Sequence, residues 1–325
     1  MKSRDCSPTA GRLLSDEPAR FGVRVAVSRQ RRQTPVAYGI RIDARWPGRD
    51  NLDDLMIDTV ATVERNTQPA PGYRLLTLNF DHEFQILPGQ FAMLRAHRSY
   101  EPLLRRALAV YRQENTHQLS FLYQVMGRGT EMLSLLDTGA KVDALLPLGN
   151  HWTVEANTRA VVVAGGIGSA SVWMLGEQLK RLRVDAQIFF GAANKRSAFG
   201  CGLSDFLDLD LPLTITTDDG SLGERGFVTA PLERHLAEDT RPAVLYTCGP
   251  WAMMKRVAEI SRLREVKCFA SLEAPMGCGF GVCVGCVVAV NTSEPSAYGS
   301  YKRVCTDGSI FPSDVIRWEV AAMSH

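Results

Sequence analysis

Met276-Gly277-Cys278-Gly279-Phe280-Gly281-Val282-Cys283-Val284-Gly285-Cys286 is the stretch on which the reading of this chain turns, and Cys305 follows 19 residues later. The spacing C-x4-C-x2-C with a later cysteine is the plant-type pattern for a [2Fe–2S] cluster, in which each of two irons takes two thiolates. Gly277, Gly279, Gly281 and Gly285 are expected to adopt φ > 0 and to turn backbone N–H groups toward the sulfur atoms. A chain holding such a cluster carries electrons.

Two other readings of these cysteines fit less well. A zinc ribbon has two C-x2-C knuckles, and here only Cys283–Cys286 has that spacing. A disulfide framework belongs to short secreted chains, whereas this one spreads 8 cysteines over 325 residues with no apolar signal segment at its start. Between Cys286 and Cys305, Ser293-Glu-Pro-Ser-Ala-Tyr-Gly-Ser300 reads as a polar hairpin insertion with no bearing on ligation. Cys6, Cys201 and Cys268 have no evident role in the sequence.

A chain of 325 residues is long enough for two or three domains, each with its own core. A net charge of +2, with no basic patch interleaved with aromatics, gives no case for nucleic acid. No run of 18 apolar residues exists, so no membrane-spanning helix is expected. Free thiols and an oxygen-sensitive cluster point to a reducing compartment, hence the cytoplasm.

Residues 1–50 carry 11 Lys/Arg against 5 Asp/Glu, a charge of +6, which leaves −4 for the remainder. With little periodicity beyond Phe21-Gly-Val-Arg-Val-Ala-Val27, residues 1–55 read as an unstructured extension, and Met56 is an alternative start.

Residues 56–152 read as a six-stranded antiparallel β-barrel. Ile57–Val63 and Tyr73–Phe80 alternate in the manner of half-buried strands, and Leu87-Pro-Gly-Gln90 is a turn into another. Arg106–Tyr111 and Leu119–Val125 follow, and Gly127-Arg-Gly-Thr130 opens a helix over 131–136. Short strands at even spacing close into a barrel, and a glycine-flanked helix start offers free N–H groups to phosphate. Residues 159–265 read as an α/β nucleotide domain: a buried strand Arg159–Ala164, Gly165-Gly-Ile-Gly168, a helix over 171–182, then strands at 185–190, 213–217 and 243–247 before Cys248-Gly-Pro250. Strands alternating with helices make a parallel sheet with its ligands at the carboxyl ends. Gly165–Gly168 departs from G-x-G-x-x-G, so that loop alone does not support a standard dinucleotide site. Residues 270–325 form the cluster domain.

These parts, in this order, resemble the electron transfer subunits of class 1B dihydroorotate dehydrogenases, within the ferredoxin reductase-like flavoproteins. The stretches that carry the resemblance are Leu104-Arg-Arg106, Tyr123-Gln-Val-Met-Gly-Arg-Gly-Thr130, Pro147-Leu-Gly-Asn150, Ala164–Gly168, Thr216-Thr-Asp-Asp-Gly-Ser221, Thr247–Pro250, Ser271-Leu-Glu273 and Tyr301-Lys-Arg-Val-Cys305-Thr-Asp-Gly308. The resemblance implies FAD in the barrel, NAD(H) on the α/β domain and the cluster at the carboxyl end. It places Arg106, Ala107, Leu108 and Ala109 where the family has an R-P-x-S strand along the flavin, so proline and serine are both replaced. Arg106 keeps a guanidinium for pyrophosphate, while the hydroxyl lost at Ala109 removes a hydrogen bond of about 1 kcal/mol. Leu122, Tyr123 and Gln124 match the second flavin segment, Gly129 and Thr130 the phosphate contact, and Gly165, Gly166, Gly168, Cys248, Gly249 and Pro250 the nicotinamide side. Lys195 and Arg196 stand where a ribose 2′-phosphate could sit, though a solvated pair of loop charges is the favoured reading.

What the family does follows from its cofactors, with flavin converting between two-electron nicotinamide and one-electron iron–sulfur chemistry. Beyond these modules no length remains for an FMN-bearing TIM barrel of about 250 residues. The chain is therefore expected to pass electrons from a separate dihydroorotate-oxidising FMN subunit, in a heterotetramer, to NAD+, and not to oxidise dihydroorotate alone. No side chain is a convincing acid, base or nucleophile. Two alternatives share the same modules: a reductase subunit of a ferredoxin, sulfide or hydrogenase system, and a scaffold that has lost its flavin, for which Ala109 is the one supporting feature.

Overall fold

The computed structural model describes residues 56–97, 101–292 and 299–320, and the backbone of two short strands before them. Those strands, β1 (Arg24–Ala26) and β2 (Ile40–Asp43), pair antiparallel, and β2 pairs in turn with Ile57 and Asp58. Where no strand is expected, two occur, because the start of β3 (Ile57–Thr67) meets its next neighbour only from Thr62 onward and leaves an edge open. The rest of residues 1–55 lies outside the described residues.

The barrel continues with β4 (Tyr73–Asn79), β5 (Phe91–Ala96), β6 (Arg106–Ala109), β7 (Arg112–Asn115), β8 (Gln118–Gln124) and β9 (Lys141–Leu148), with α1 (Arg128–Ser134) between the last two. The strand order is β6-β5-β9-β3-β4-β8-β7. Its two ends, β6 and β7, are consecutive in the chain. The Val110 N–H bonds Gln90 on one side and the Tyr111 N–H bonds Ser120 on the other, so one bent strand changes partner and closes the ring. Counted that way the barrel has six strands. Leu76, Leu78, Phe121 and Val142 fill it without exposure. Asn66 Nδ2 donates to the carbonyls of Leu133 and Leu136, which ties α1 to the end of the barrel.

The second unit runs β10 (Arg159–Gly165), α2 (Ser169–Leu182), β11 (Ala186–Ala192), α3 (Lys195–Gly200), α4 (Leu203–Leu207), β12 (Leu213–Thr217), β13 (Glu224–Arg225), α5 (Thr229–Glu238), β14 (Ala243–Cys248), α6 (Trp251–Leu263) and β15 (Lys267–Ser271). Every residue of β10 is buried, as its unbroken apolar run requires of a strand covered on both faces. The sheet order is β13-β12-β11-β10-β14-β15, all parallel, with β10 beside β14. Barrel and sheet are joined through Asp205 of α4. It accepts from the Tyr111 hydroxyl at 2.5 Å and pairs with Arg112 at 3.0 Å, while the Arg112 guanidinium lies 4.3 Å over Trp173.

The cysteine-bearing segment contains β16 (Val287–Ala289), β17 (Tyr301–Arg303) and β18 (Ile310–Pro312). Strand β18 adds antiparallel to β15 and extends the parallel sheet. A separate apolar core forms where Phe91, Met93, Leu145 and Leu148 of the barrel meet Cys286, Val288, Cys305 and Phe311.

Candidate cofactor sites

The cysteine loop is built on the outer face of β5. Gly279 has φ +82°, and a Cβ there would fall 2.5 Å from Met93 Cγ, so glycine is required both by its backbone and by the barrel behind it. Gly281 also has positive φ, but Gly277 and Gly285 do not, which corrects the expectation for those two; Val284 takes the positive φ instead. The thiols come as two pairs. The Cys283 N–H lies 3.5 Å from Cys278 Sγ, and the Cys305 N–H lies 3.4 Å from Cys286 Sγ. Among the described residues no three metal-ligating side chains gather about one point. Two pairs are what a two-iron cluster asks of its protein, and four free cysteines supply them.

The pairing β16–β17 explains why the long gap before Cys305 is harmless. Val287 sits opposite Arg303, and the Val304 N–H donates to the Cys286 carbonyl at 2.8 Å, so the last two cysteines are brought side by side. Part of the insertion, residues 293–298, lies outside the described residues. Burial raises the Cys278 thiol, but N–H groups of Cys283, Phe280 and Val282 outweigh it and leave it below its ordinary range. The hydrogen bond from Cys305 lowers Cys286 to about 6, and the same bond holds Cys305 high. Deprotonation is thus made easier at Cys278 and Cys286 than at a free thiol. Cys283 is exposed while Cys286 and Cys305 are buried.

On the barrel, Arg106 lies across the turn that opens α1. A Cβ on Gly129 would stand 2.1 Å from Arg106 Nε, so the two are in direct contact. Together with Leu94, Leu104 and Met132 they line a shallow surface cleft. Thr130 is occupied locally: its hydroxyl accepts from the N–H groups of Met126 and Gly127 and donates to the Gly127 carbonyl. Ala107 pairs with Met93 and Ala109 with Phe91 on β5, and Leu108 packs against the core. Leu122 and Tyr123 are buried and Gln124 is half-buried at the end of β8. Among the described residues the buried Tyr123 hydroxyl has no hydrogen-bond partner. A guanidinium resting on a glycine turn and a buried hydroxyl awaiting a partner fit a flavin dinucleotide.

The two glycine loops of the sheet are pressed backbone to backbone. A Cβ on Gly168 would fall 2.5 Å from the Gly249 nitrogen, and one on Gly165 would fall 2.3 Å from Met253 Sδ and 3.0 Å from the Pro250 ring. Gly165, Gly166, Gly168, Cys248, Gly249 and Pro250 therefore lie together at the carboxyl ends of β10 and β14. Burial pushes the Cys248 thiol up to about 12, so it stays protonated. The buried hydroxyls of Thr216 and Thr247, at the ends of β12 and β14, have no partner among the described residues, which suits a polar ligand laid across these ends. Lys195 and Arg196 are exposed at the start of α3, where the Lys195 N–H donates to Ser221 Oγ at 2.7 Å.

Residues 273–317 match the family model of the iron–sulfur cluster binding domain of dihydroorotate dehydrogenase B. The chain is 36% identical over 237 residues to the electron transfer subunit of dihydroorotate dehydrogenase B (NAD(+)) of Desulforamulus reducens, covering 72% of this chain and 87% of that one. The chain belongs to this family. A homologue of the same subunit from Aquifex aeolicus is 33% identical over 265 residues, covering 81% of this chain and 99% of the relative. Among solved structures, the NADH-dependent reduced ferredoxin-NADP oxidoreductase aligns with TM-score 0.68 at 25% identity, over 80% of this chain and 90% of that one. The ferredoxin reductase of carbazole 1,9a-dioxygenase aligns with TM-score 0.57 at 20% identity, over 65% and 66%, which establishes the ferredoxin reductase-like fold. No helix of the described residues is long and apolar enough to cross a membrane.

Sequence reasoning missed the Arg106–Gly129 contact, the Tyr111–Asp205–Arg112 junction and the hydrogen bonds of Asn150 described below. Each joins residues too far apart in the chain for a local pattern to reveal.

Proposed function

We infer that this electron transfer subunit passes electrons between NAD(H) and a separate FMN-bearing, dihydroorotate-oxidising subunit, with which it forms a heterotetramer in the cytoplasm. The observation that carries the reading is the packing of the cysteine loop on β5: Gly279 rests on Met93, and Met93 pairs with Ala107 of the flavin-lining strand. Residues 56–152 serve as the FAD unit, 159–265 as the NAD unit and 270–325 as the cluster unit.

Arg106, with Gly129 beneath it, binds the flavin pyrophosphate, and Ala107–Ala109 with Leu122–Gln124 lie along the rest of the cofactor. Gly165, Gly166 and Gly168, against Cys248, Gly249 and Pro250, let the nicotinamide approach the backbone closely. Cys248 supplies a small, protonated side chain there and no nucleophile. Cys278 with Cys283, and Cys286 with Cys305, hold the cluster. When bound, the flavin exchanges two electrons with nicotinamide and single electrons with the cluster, which is why one chain carries both. The side chains orient these groups and exclude water between them, and none transfers a proton.

Reconstitution tests this. The purified chain and an FMN-bearing dihydroorotate dehydrogenase subunit should form NADH from dihydroorotate and NAD+ only when mixed. NADH formation by either chain alone, or none by the mixture, would refute the assignment.

A further inference from the structure

The segment Gly308–Ile310, shortly after Cys305, touches every part of the subunit. From the barrel, Asn150 donates through Nδ2 to the Ile310 carbonyl at 2.8 Å and accepts at Oδ1 from the Ile310 N–H at 2.9 Å. Its own N–H donates to the Gly308 carbonyl at 2.7 Å. One carboxamide thus satisfies both backbone groups of a residue 160 positions away, as a neighbouring strand would. From the parallel sheet, the Leu272 N–H donates to the Ser309 carbonyl at 2.8 Å, and β18 continues on β15.

Little room is left for this segment to move. A Cβ on Gly149 would fall 2.8 Å from the Phe91 ring and 3.3 Å from the Gly308 carbonyl, and one on Gly89 2.6 Å from Ile310 Cδ1. Leu148, two residues before Asn150, packs in one buried core with Met93, Cys286 and Cys305. The barrel end that carries Asn150 therefore faces the second thiol pair on one side and, through Met93, the strand Arg106–Ala109 on the other.

We infer that Asn150 is a positioning residue whose paired hydrogen bonds to Ile310 fix the Cys286–Cys305 pair relative to the strand Arg106–Ala109. This rests on the reading that those residues hold the cluster and the flavin. Asparagine suits the task because its amide is donor and acceptor at once, whereas an ionised aspartate only accepts and alanine does neither.

The test uses N150A and N150D in the full-length, cofactor-loaded chain. Amide hydrogen exchange at Ile310 reports the hydrogen bonds, and rapid mixing with NADH reports flavin bleaching and cluster reduction separately. N150A should exchange Ile310 roughly ten-fold faster, bleach flavin at the unsubstituted rate and reduce the cluster roughly ten-fold more slowly, since small misplacements cost that much or more. N150D should fall between, and it decides the matter if N150A does not fold. Unchanged exchange, or cluster reduction within about two-fold of the unsubstituted rate despite faster exchange, would overturn the inference. Absence of flavin and iron–sulfur bands in the unsubstituted chain would instead strike the reading beneath it, and exchange at Ile310 would still decide whether Asn150 holds the segment.

Discussion

Gly168→Ala is the substitution for which the structure gives the sharpest expectation. The added Cβ would stand 2.5 Å from the Gly249 nitrogen and 2.6 Å from the Cys248 carbonyl carbon and oxygen. Ordinary contact begins at 3.4 Å, so the loops ending β10 and β14 must separate by 3.4 − 2.5, about 0.9 Å. All three obstructing atoms are backbone, fixed by strands paired along their whole length, and no rotamer can relieve them. Overpacking of this kind costs roughly 1–3 kcal/mol. At about 1.4 kcal/mol per ten-fold change, strain confined to the nicotinamide site weakens NADH binding roughly 5-fold to 100-fold. The assay is the NADH concentration at half-maximal rate of flavin bleaching, read beside the denaturation midpoint of the same variant. Gly129→Ala is the comparison, because the three atoms nearest its new Cβ all belong to the Arg106 side chain, which can swing away. It should leave NADH saturation unchanged and loosen the flavin. A G168A variant with NADH saturation and stability both within about two-fold of the unsubstituted protein would refute the backbone argument.

Three further outcomes follow from single contacts. Asp205→Ala leaves the buried Tyr111 hydroxyl without an acceptor and Arg112 without its carboxylate, so the denaturant midpoint should fall by the equivalent of about 2 kcal/mol; no shift would show that this junction adds nothing. Burial, and then the charge of Arg159, lower the pKa of His235, which accepts from Arg159 at 2.6 Å. Because the folded pKa lies below the unfolded value of about 6.5, stability is unaffected above that pH and declines as pH falls toward the folded value; His235→Gln should flatten the decline, read as denaturation midpoints from pH 8 to pH 5, and an unchanged slope would contradict it. Cys305→Ser should abolish the iron–sulfur bands while NADH still bleaches the flavin, and cluster bands of full intensity would remove Cys305 from the ligand set.

How far the sequence carries can be seen at particular residues. Alternation located Ile57–Val63 and Tyr73–Phe80, and unbroken burial located Arg159–Ala164, because a strand's side-chain period depends only on which faces are covered. The change of partner between Val110 and Tyr111 was not readable, since nothing in that stretch says that Gln90 and Ser120 lie on opposite sides. Nor was β18, a strand of three residues whose place on β15 is set by packing. The cysteine spacing singled out four residues that the fold brings together as two pairs, yet the glycines around them were only half understood: Gly279 and Gly281 take positive φ, whereas Gly277 and Gly285 lie near Cys283 Sγ, where a Cβ would stand 3.4 and 3.6 Å away. Asn150 sat within a stretch that carried the family resemblance, but its partner is 160 residues away and became visible only in the fold.

The central claim is that one chain connects NAD(H) to a dihydroorotate-oxidising partner through its own flavin and cluster. The visible spectrum of the anaerobically purified chain tests it most directly, recorded with NADH and then with dihydroorotate, with and without the FMN-bearing subunit. The account predicts flavin and iron–sulfur bands that bleach with NADH alone, and with dihydroorotate only when the partner is present. Bands that answer NADH but never dihydroorotate in any combination, or a colourless protein, would contradict it.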